Sequence, residues 1–112
     1  MSDCLFCKIV AGEISAEVVR EDEHTVAFRD IAPQAPTHVL VVPREHAPNA
    51  AATAELHPQA PAALLNAAAA VAASEGLESY RLVFNTGEGA GQTVFHTHLH
   101  VLGGRSMQWP PG

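Results

Sequence analysis

Val94-Phe95-His96-Thr97-His98-Leu99-His100-Val101-Leu102 decides the reading of this chain. Its β-branched and aromatic flanks give it strand character. Side chains alternate along a strand, so His96, His98 and His100 are expected on one face, with Leu99 and Val101 turned to a core. A histidine-decorated strand facing solvent is the plain alternative, and three histidines in strict alternation weigh against it. At ~3.3 Å per residue the outer two stand ~13 Å apart at the backbone. One tetrahedral zinc, with Zn–N bonds of ~2.1 Å, could hold a neighbouring pair but not all three. One end histidine is therefore expected to serve elsewhere while the others line a pocket for an anion. Protonated imidazoles and backbone amides attract phosphate, and a neutral imidazole can attack phosphorus.

Just upstream, Asn85-Thr86-Gly87-Glu88-Gly89-Ala90-Gly91-Gln92-Thr93 carries three glycines, whose backbone amides can approach a ligand closely. A plain turn between strands would look similar, and no Gly-Lys-Ser/Thr follows to make a triphosphatase loop. Histidine is also the compositional outlier. Seven histidines exceed the six lysines and arginines of this 112-residue, 11.8 kDa chain, and Lys8 is the one lysine. A net charge of −6 without a basic run argues against non-specific binding to nucleic acid or to an anionic membrane. Met1-Ser2-Asp3-Cys4 has no basic start, and no stretch approaches the ~20 apolar residues of a membrane span. A soluble cytoplasmic protein forming a single domain over 1–112 is expected.

The remaining pattern is that of an α+β fold around an antiparallel sheet of about five strands, with one short and one long helix. Residues 5–11 read as one or two helical turns ended by Gly12. Glu17–Arg20 and Thr25–Arg29 read as a hairpin around Glu21-Asp22-Glu23-His24. The prolines at 33 and 36 demand a loop. His38–Val42 is continuously apolar after His38 and reads as a strand buried on both faces. A long helix starts near Pro58 and Pro61, buries Leu64, Leu65, Ala68, Val71 and Ala72, and stops at Gly76. Tyr80–Asn85 and Thr93–Leu102 are the last strands. His24 and His57 read as solvated bystanders.

Both cysteines lie in Cys4-Leu5-Phe6-Cys7, half of a zinc site by spacing. A redox pair and two plain buried thiols are the other readings, although no βαβ pattern surrounds them to favour redox chemistry.

The His-x-His-x-His run followed by apolar residues resembles the histidine triad superfamily. Asp30-Ile31, Pro33-Gln34-Ala35-Pro36-Thr37-His38, Gly91-Gln92-Thr93-Val94-Phe95-His96, Gly103-Gly104-Arg105 and Trp109-Pro110-Pro111-Gly112 are similar to its nucleotide-binding, purine nucleoside phosphoramidase branch. The resemblance implies a homodimer whose two sheets join. It also implies hydrolysis of phosphorus–nitrogen bonds in purine nucleoside 5′-phosphoramidates through a nucleotidyl-histidine on His98. His100, His38, Asn85, Gln92 and Thr93 would surround the phosphate and leaving group, and Asp30 would hold the ribose. Leu5, Phe6, Ile9, Phe28 and Ile31 would wall the base, although Leu5, Ile9, Phe28 and Ile31 would serve as core residues in any fold. Some bacterial relatives carry structural zinc, and Cys4, Cys7, His46 and His96 are the matching positions; the shared chemistry needs no cofactor. Cleavage or transfer on dinucleoside polyphosphates is a second reading. A nucleotide- or zinc-binding interaction module without catalysis is a third.

Overall fold

Thr37–Pro43 (β3) is buried at every position and forms the middle of the sheet. The structure is a computed structural model and describes residues 3–112. Of the stretch at positions 1–4 read for a targeting signal, the first two residues lie outside it. Val18–Glu21 (β1), Thr25–Arg29 (β2), Tyr80–Val83 (β4) and Leu99–Gly103 (β5) complete a five-stranded antiparallel sheet in the order β1-β2-β3-β5-β4. β3 shows why a continuous apolar run was needed. Val39 and Val41 point to one core with Ala27, Leu99 and Val101, and Leu40 and Val42 point to another with Val26 and Phe28. Helix Ala60–Ser74 (α3) covers the first face through Leu64, Ala67, Ala68 and Val71. The short helix Leu5–Val10 (α1) covers the second through Phe6.

The long helix follows its sequence signals with one exception. Pro61 lies in its first turn, where a missing N–H costs nothing. Gly76, at φ +70°, follows the last turn in the left-handed conformation that ends helices. Leu64, Ala68, Val71 and Ala72 are buried, but Leu65 is 49% exposed, one residue and ~100° round the helix from Leu64. A further helix, Ala50–Leu56 (α2), escaped the pattern because its alanines make no apolar stripe. Its one local signal is Asn49, whose side chain caps the Ala52 N–H at 2.9 Å.

The histidine stretch itself departs from expectation. Only residues from Leu99 onward pair as β5, and the segment 93–98 leaves the ladder. It is held instead to the segment before and within α2. The Thr97 N–H donates to the Ala47 carbonyl at 2.9 Å, and the Thr97 and Thr53 hydroxyls meet at 2.6 Å, both side chains buried. His96 and His98 therefore do not belong to the strand that carries His100. β4 likewise ends at Val83, two residues before Asn85. Among the described residues no helix is long and apolar enough to cross a membrane.

Candidate active site and metal cluster

His98 is buried, and its Nδ1 lies 2.8 Å from the His96 carbonyl. A carbonyl only accepts, so Nδ1 carries the proton and Nε2 keeps its lone pair. Departure from the strand makes this possible: a paired strand would have committed that carbonyl to a neighbour. The ring packs edge-to-face on Phe6 at 5.0 Å, which limits its rotation on the other side.

His100 has the opposite polarity, fixed by a chain of hydrogen bonds. The Gln34 N–H donates to His38 Nδ1 at 3.0 Å, so neutral His38 carries its proton on Nε2. His38 Nε2 stands 2.9 Å from His100 Nδ1 and donates to it. His100 then holds its own proton on Nε2. That atom is buried, and among the described residues it is the one buried side-chain nitrogen or oxygen without a hydrogen-bond partner. A buried N–H without an acceptor is costly, so a ligand acceptor is the natural completion. The turn that presents Gln34 is itself braced. Arg105 Nε donates to the Gln34 carbonyl at 3.1 Å, and Gly104, at φ +91°, lies so close to Pro36 that a Cβ would approach to 2.9 Å.

Burial favours the neutral form of His38 and His100, against the expectation of protonated rings around a phosphate. Burial pushes His100 down to about 4, with the nearby His98 and His38 lowering it further and Asp30 opposing. His38 is also lowered by burial, against the pull of Asp30. Burial similarly pushes His96 down to about 4, against its hydrogen bond to the Pro43 carbonyl. A histidine kept neutral in the fold but free to protonate when unfolded makes the unfolded state bind more protons between those values. Stability therefore holds above pH 6.5 and falls as the pH is lowered from 6.5 towards about 4. In metal-free protein the thermal midpoint should follow that slope, and His100→Asn should make it shallower, leaving the part due to His96. A wild-type midpoint constant across this window would contradict the buried neutral rings.

His98 and His100, with ring centres 5.0 Å apart, share one cavity of about 470 Å³. Leu5, Phe6, Ile9, Phe28 and Ile31 line it, as do Asp30 and Thr93. Phe6 and Phe28 are also core residues, whereas Leu5 is 43% exposed and Ile31 fully exposed. Ile31 is thus no core residue at all; it stands at the cavity wall as bare apolar surface. Asp30 makes two contacts within the chain. One carboxylate oxygen accepts the Ala32 N–H at 2.8 Å as in a turn, and the other lies 3.4 Å from His38 Nε2. Ile14 and Ser15 also line the cavity, with no sequence pattern to single them out.

Three expected phosphate neighbours stand apart from this lining, and one is His38, which reaches the cavity only through its hydrogen bond to His100. Asn85 is half-buried just past β4. Gln92 is buried with its amide saturated by the backbone: Nε2 donates to the Pro48 and Val94 carbonyls and Oε1 accepts the Gly87 N–H. It clips the glycine turn to the histidine segment and has no N–H left to donate to a phosphate.

His96 faces away from the cavity. Its Nε2 donates to the Pro43 carbonyl at 3.0 Å, so Nδ1 presents a lone pair to Cys4, Cys7 and His46. A backbone carbonyl holding the far nitrogen is the usual support of a metal-ligating histidine. His96 Nδ1 lies 3.4 Å from Cys4 Sγ, 3.5 Å from Cys7 Sγ and 3.1 Å from His46 Nδ1; Cys7 Sγ to His46 Nδ1 is 3.5 Å. Zinc bonds of ~2.1 Å to nitrogen and ~2.3 Å to sulfur give a tetrahedron with edges of ~3.3–3.8 Å. The donor set fits such an ion. Asp30, His38 and His100 also converge, but His38 presents its N–H there because Gln34 occupies Nδ1. That trio is a hydrogen-bond relay.

Of the two supposed bystanders, His24 is exposed, but His57 is half-buried. His57 pairs with Glu45 at 2.8 Å and approaches the His46 carbonyl at 3.4 Å, bracing the loop that carries a cluster ligand.

The HIT domain family model matches residues 11–107. The chain is 50% identical over 111 residues to an uncharacterized HIT-like protein of Synechococcus elongatus, covering 98% of this chain and 97% of that one. It is 48% identical to a 14 kDa zinc-binding protein of Zea mays, covering 99% of this chain and 89% of that one. Among solved structures it resembles a HIT family hydrolase from Legionella pneumophila. That match has a TM-score of 0.93 and 52% identity, and covers 98% of this chain and all of the other. The paired histidines, the five-stranded sheet and these similarities agree, and the chain belongs to the HIT, or histidine triad, family.

Proposed function

We propose that the chain hydrolyses purine nucleoside 5′-phosphoramidates, with His98 as nucleophile. The observation that carries this reading is the complementary polarity of two adjacent rings: His98 with a lone pair on Nε2, His100 with an N–H that has no acceptor. In the first step His98 Nε2 bonds to phosphorus, and the amine leaves with the electrons of the broken phosphorus–nitrogen bond and a proton from water. In the second, the hydroxide left by that proton transfer attacks phosphorus and His98 Nε2 departs with the electrons of its bond, releasing the nucleoside monophosphate. The His100 Nε2–H hydrogen-bonds a phosphate oxygen as its charge develops, and a preorganised neutral donor in a dry pocket is effective there. Leu5, Phe6, Ile9, Phe28 and Ile31 sandwich the purine, Asp30 takes the ribose hydroxyls, and Thr93 lies beside the phosphate.

The charge of the cavity favours one phosphate over several. Besides the histidines its ionisable lining is Glu17, Asp30 and Arg29, and Arg29 is already engaged by Glu17 at 2.9 Å and Glu75 at 2.8 Å. Among the described residues no unengaged lysine or arginine lines it to meet a polyphosphate chain, which weighs against the dinucleoside polyphosphate reading. A mere binding module would not need the fixed tautomers. Cys4, Cys7, His46 and His96 hold a structural zinc: four protein ligands close the coordination sphere and leave no position for substrate. A second copy of the chain pairs along β4, an edge strand of the sheet, and extends it across a homodimer.

Comparing AMP release from adenosine 5′-phosphoramidate and from diadenosine tetraphosphate, at equal concentrations, tests the substrate class. Faster release from the phosphoramidate is expected. The reverse order would transfer the assignment to polyphosphate cleavage, and no release from either would leave only binding.

A further inference from the structure

The four-donor cluster and the nucleotide cavity are built from the same short segments. Cys4 caps α1 and Cys7 lies one turn on, so the two residues between them, Leu5 and Phe6, have their places set by the cluster. Both line the cavity. Phe6 is the closest link. Its ring packs edge-to-face on His98 at 5.0 Å, on cluster residue His96 at 6.0 Å and on Phe28 in the cavity wall at 5.4 Å. A second link runs through the main chain. The His96 ring belongs to the cluster, while its carbonyl accepts the His98 Nδ1–H at 2.8 Å.

We propose that Phe6 and the His96 carbonyl couple the two sites, so that zinc in the cluster and a nucleoside monophosphate in the cavity each tighten the binding of the other. The physical reason is shared ordering. Four metal bonds fix α1 and the His96 backbone, and these segments also hold the base wall and the His98 ring. A nucleotide meeting an already ordered wall has less to immobilise. Phe6 is then a positioning residue for the nucleophile as well as a wall for the base. This inference rests on the nucleotide reading above.

Coupling between two sites is reciprocal, so it can be read from the metal side without turnover. Zinc affinity is measured by competition with a chromophoric chelator, with and without saturating AMP, and AMP binding is followed separately by calorimetry. AMP should raise zinc affinity by ~5-fold or more in the wild type, the lower end of typical coupling. Phe6→Leu keeps all four ligands and should lose most of that gain; Phe6→Met replaces it should Phe6→Leu fail to fold. Calorimetric AMP binding with unchanged zinc affinity overturns the coupling alone. Full coupling in the Phe6 variant overturns the route through the ring. No AMP binding in zinc-loaded wild type overturns the nucleotide reading, and this one with it.

Discussion

His98→Ala folds as the wild type does and releases AMP from adenosine 5′-phosphoramidate more slowly by about 10⁴-fold or more. The size follows from what is removed. The His98 ring supplies the atom that bonds to phosphorus, and no neighbour can replace it. His100 has its proton on Nε2, and His38 Nδ1 is occupied by the Gln34 amide. Affinity for AMP should change little, since the cavity keeps its apolar wall, Asp30 and the His100 donor. His100→Ala removes one neutral hydrogen-bond donor rather than the nucleophile, and should cost about 10²–10³ in kcat. Steady-state kinetics of the three proteins, with AMP affinity measured alongside, separates the roles. Equal losses in the two variants would contradict the division between attacking and donating rings.

The second large effect is on stability. Stripping metal from the purified protein, or replacing Cys7 by Ser, should lower the thermal midpoint by ~15 °C. A ligand held at a thousand times its dissociation constant contributes ~4 kcal/mol, and in a domain of this size each kcal/mol moves the midpoint by ~4 °C. The loss should be greater than for most surface changes because the cluster ties α1 to the loop after β3 and to the histidine segment. Those three pieces are far apart in sequence: Cys4 and Cys7, then His46, then His96. Scanning calorimetry with and without chelator measures the effect. Identical midpoints for wild type and Cys7→Ser under both conditions would show that no metal holds these segments together.

Much of this was legible in the sequence where local pattern and tertiary packing agree. The apolar run after His38 gave the central strand because β3 does have a core on each face. Leu99 and Val101 pointed to the core as alternation required. Alternation failed for His96 and His98, although the three rings still divide between two sites. The segment carrying them is held by Thr97, Ala47 and Thr53 instead of by a strand partner, and such contacts leave no periodic trace. Gln92 misled for a related reason. Beside a glycine turn and a histidine run an amide looks like a phosphate ligand, but three backbone groups claim it. Ile31 stood open between base wall and core, and its full exposure at the cavity rules out the core. The tautomers of His38 and His100 depend on the Gln34 N–H, a main-chain group that no side-chain pattern could have revealed.

His98 as the atom donor to phosphorus is tested most directly by trapping its bond. Protein mixed with excess adenosine 5′-phosphoramidate is quenched in alkali during the first turnover, digested and weighed by mass spectrometry. One nucleotidyl group on the peptide that carries His98, absent from His98→Ala, is the expected result. An unmodified protein while AMP accumulates, or a nucleotidyl group on any other residue, would contradict it.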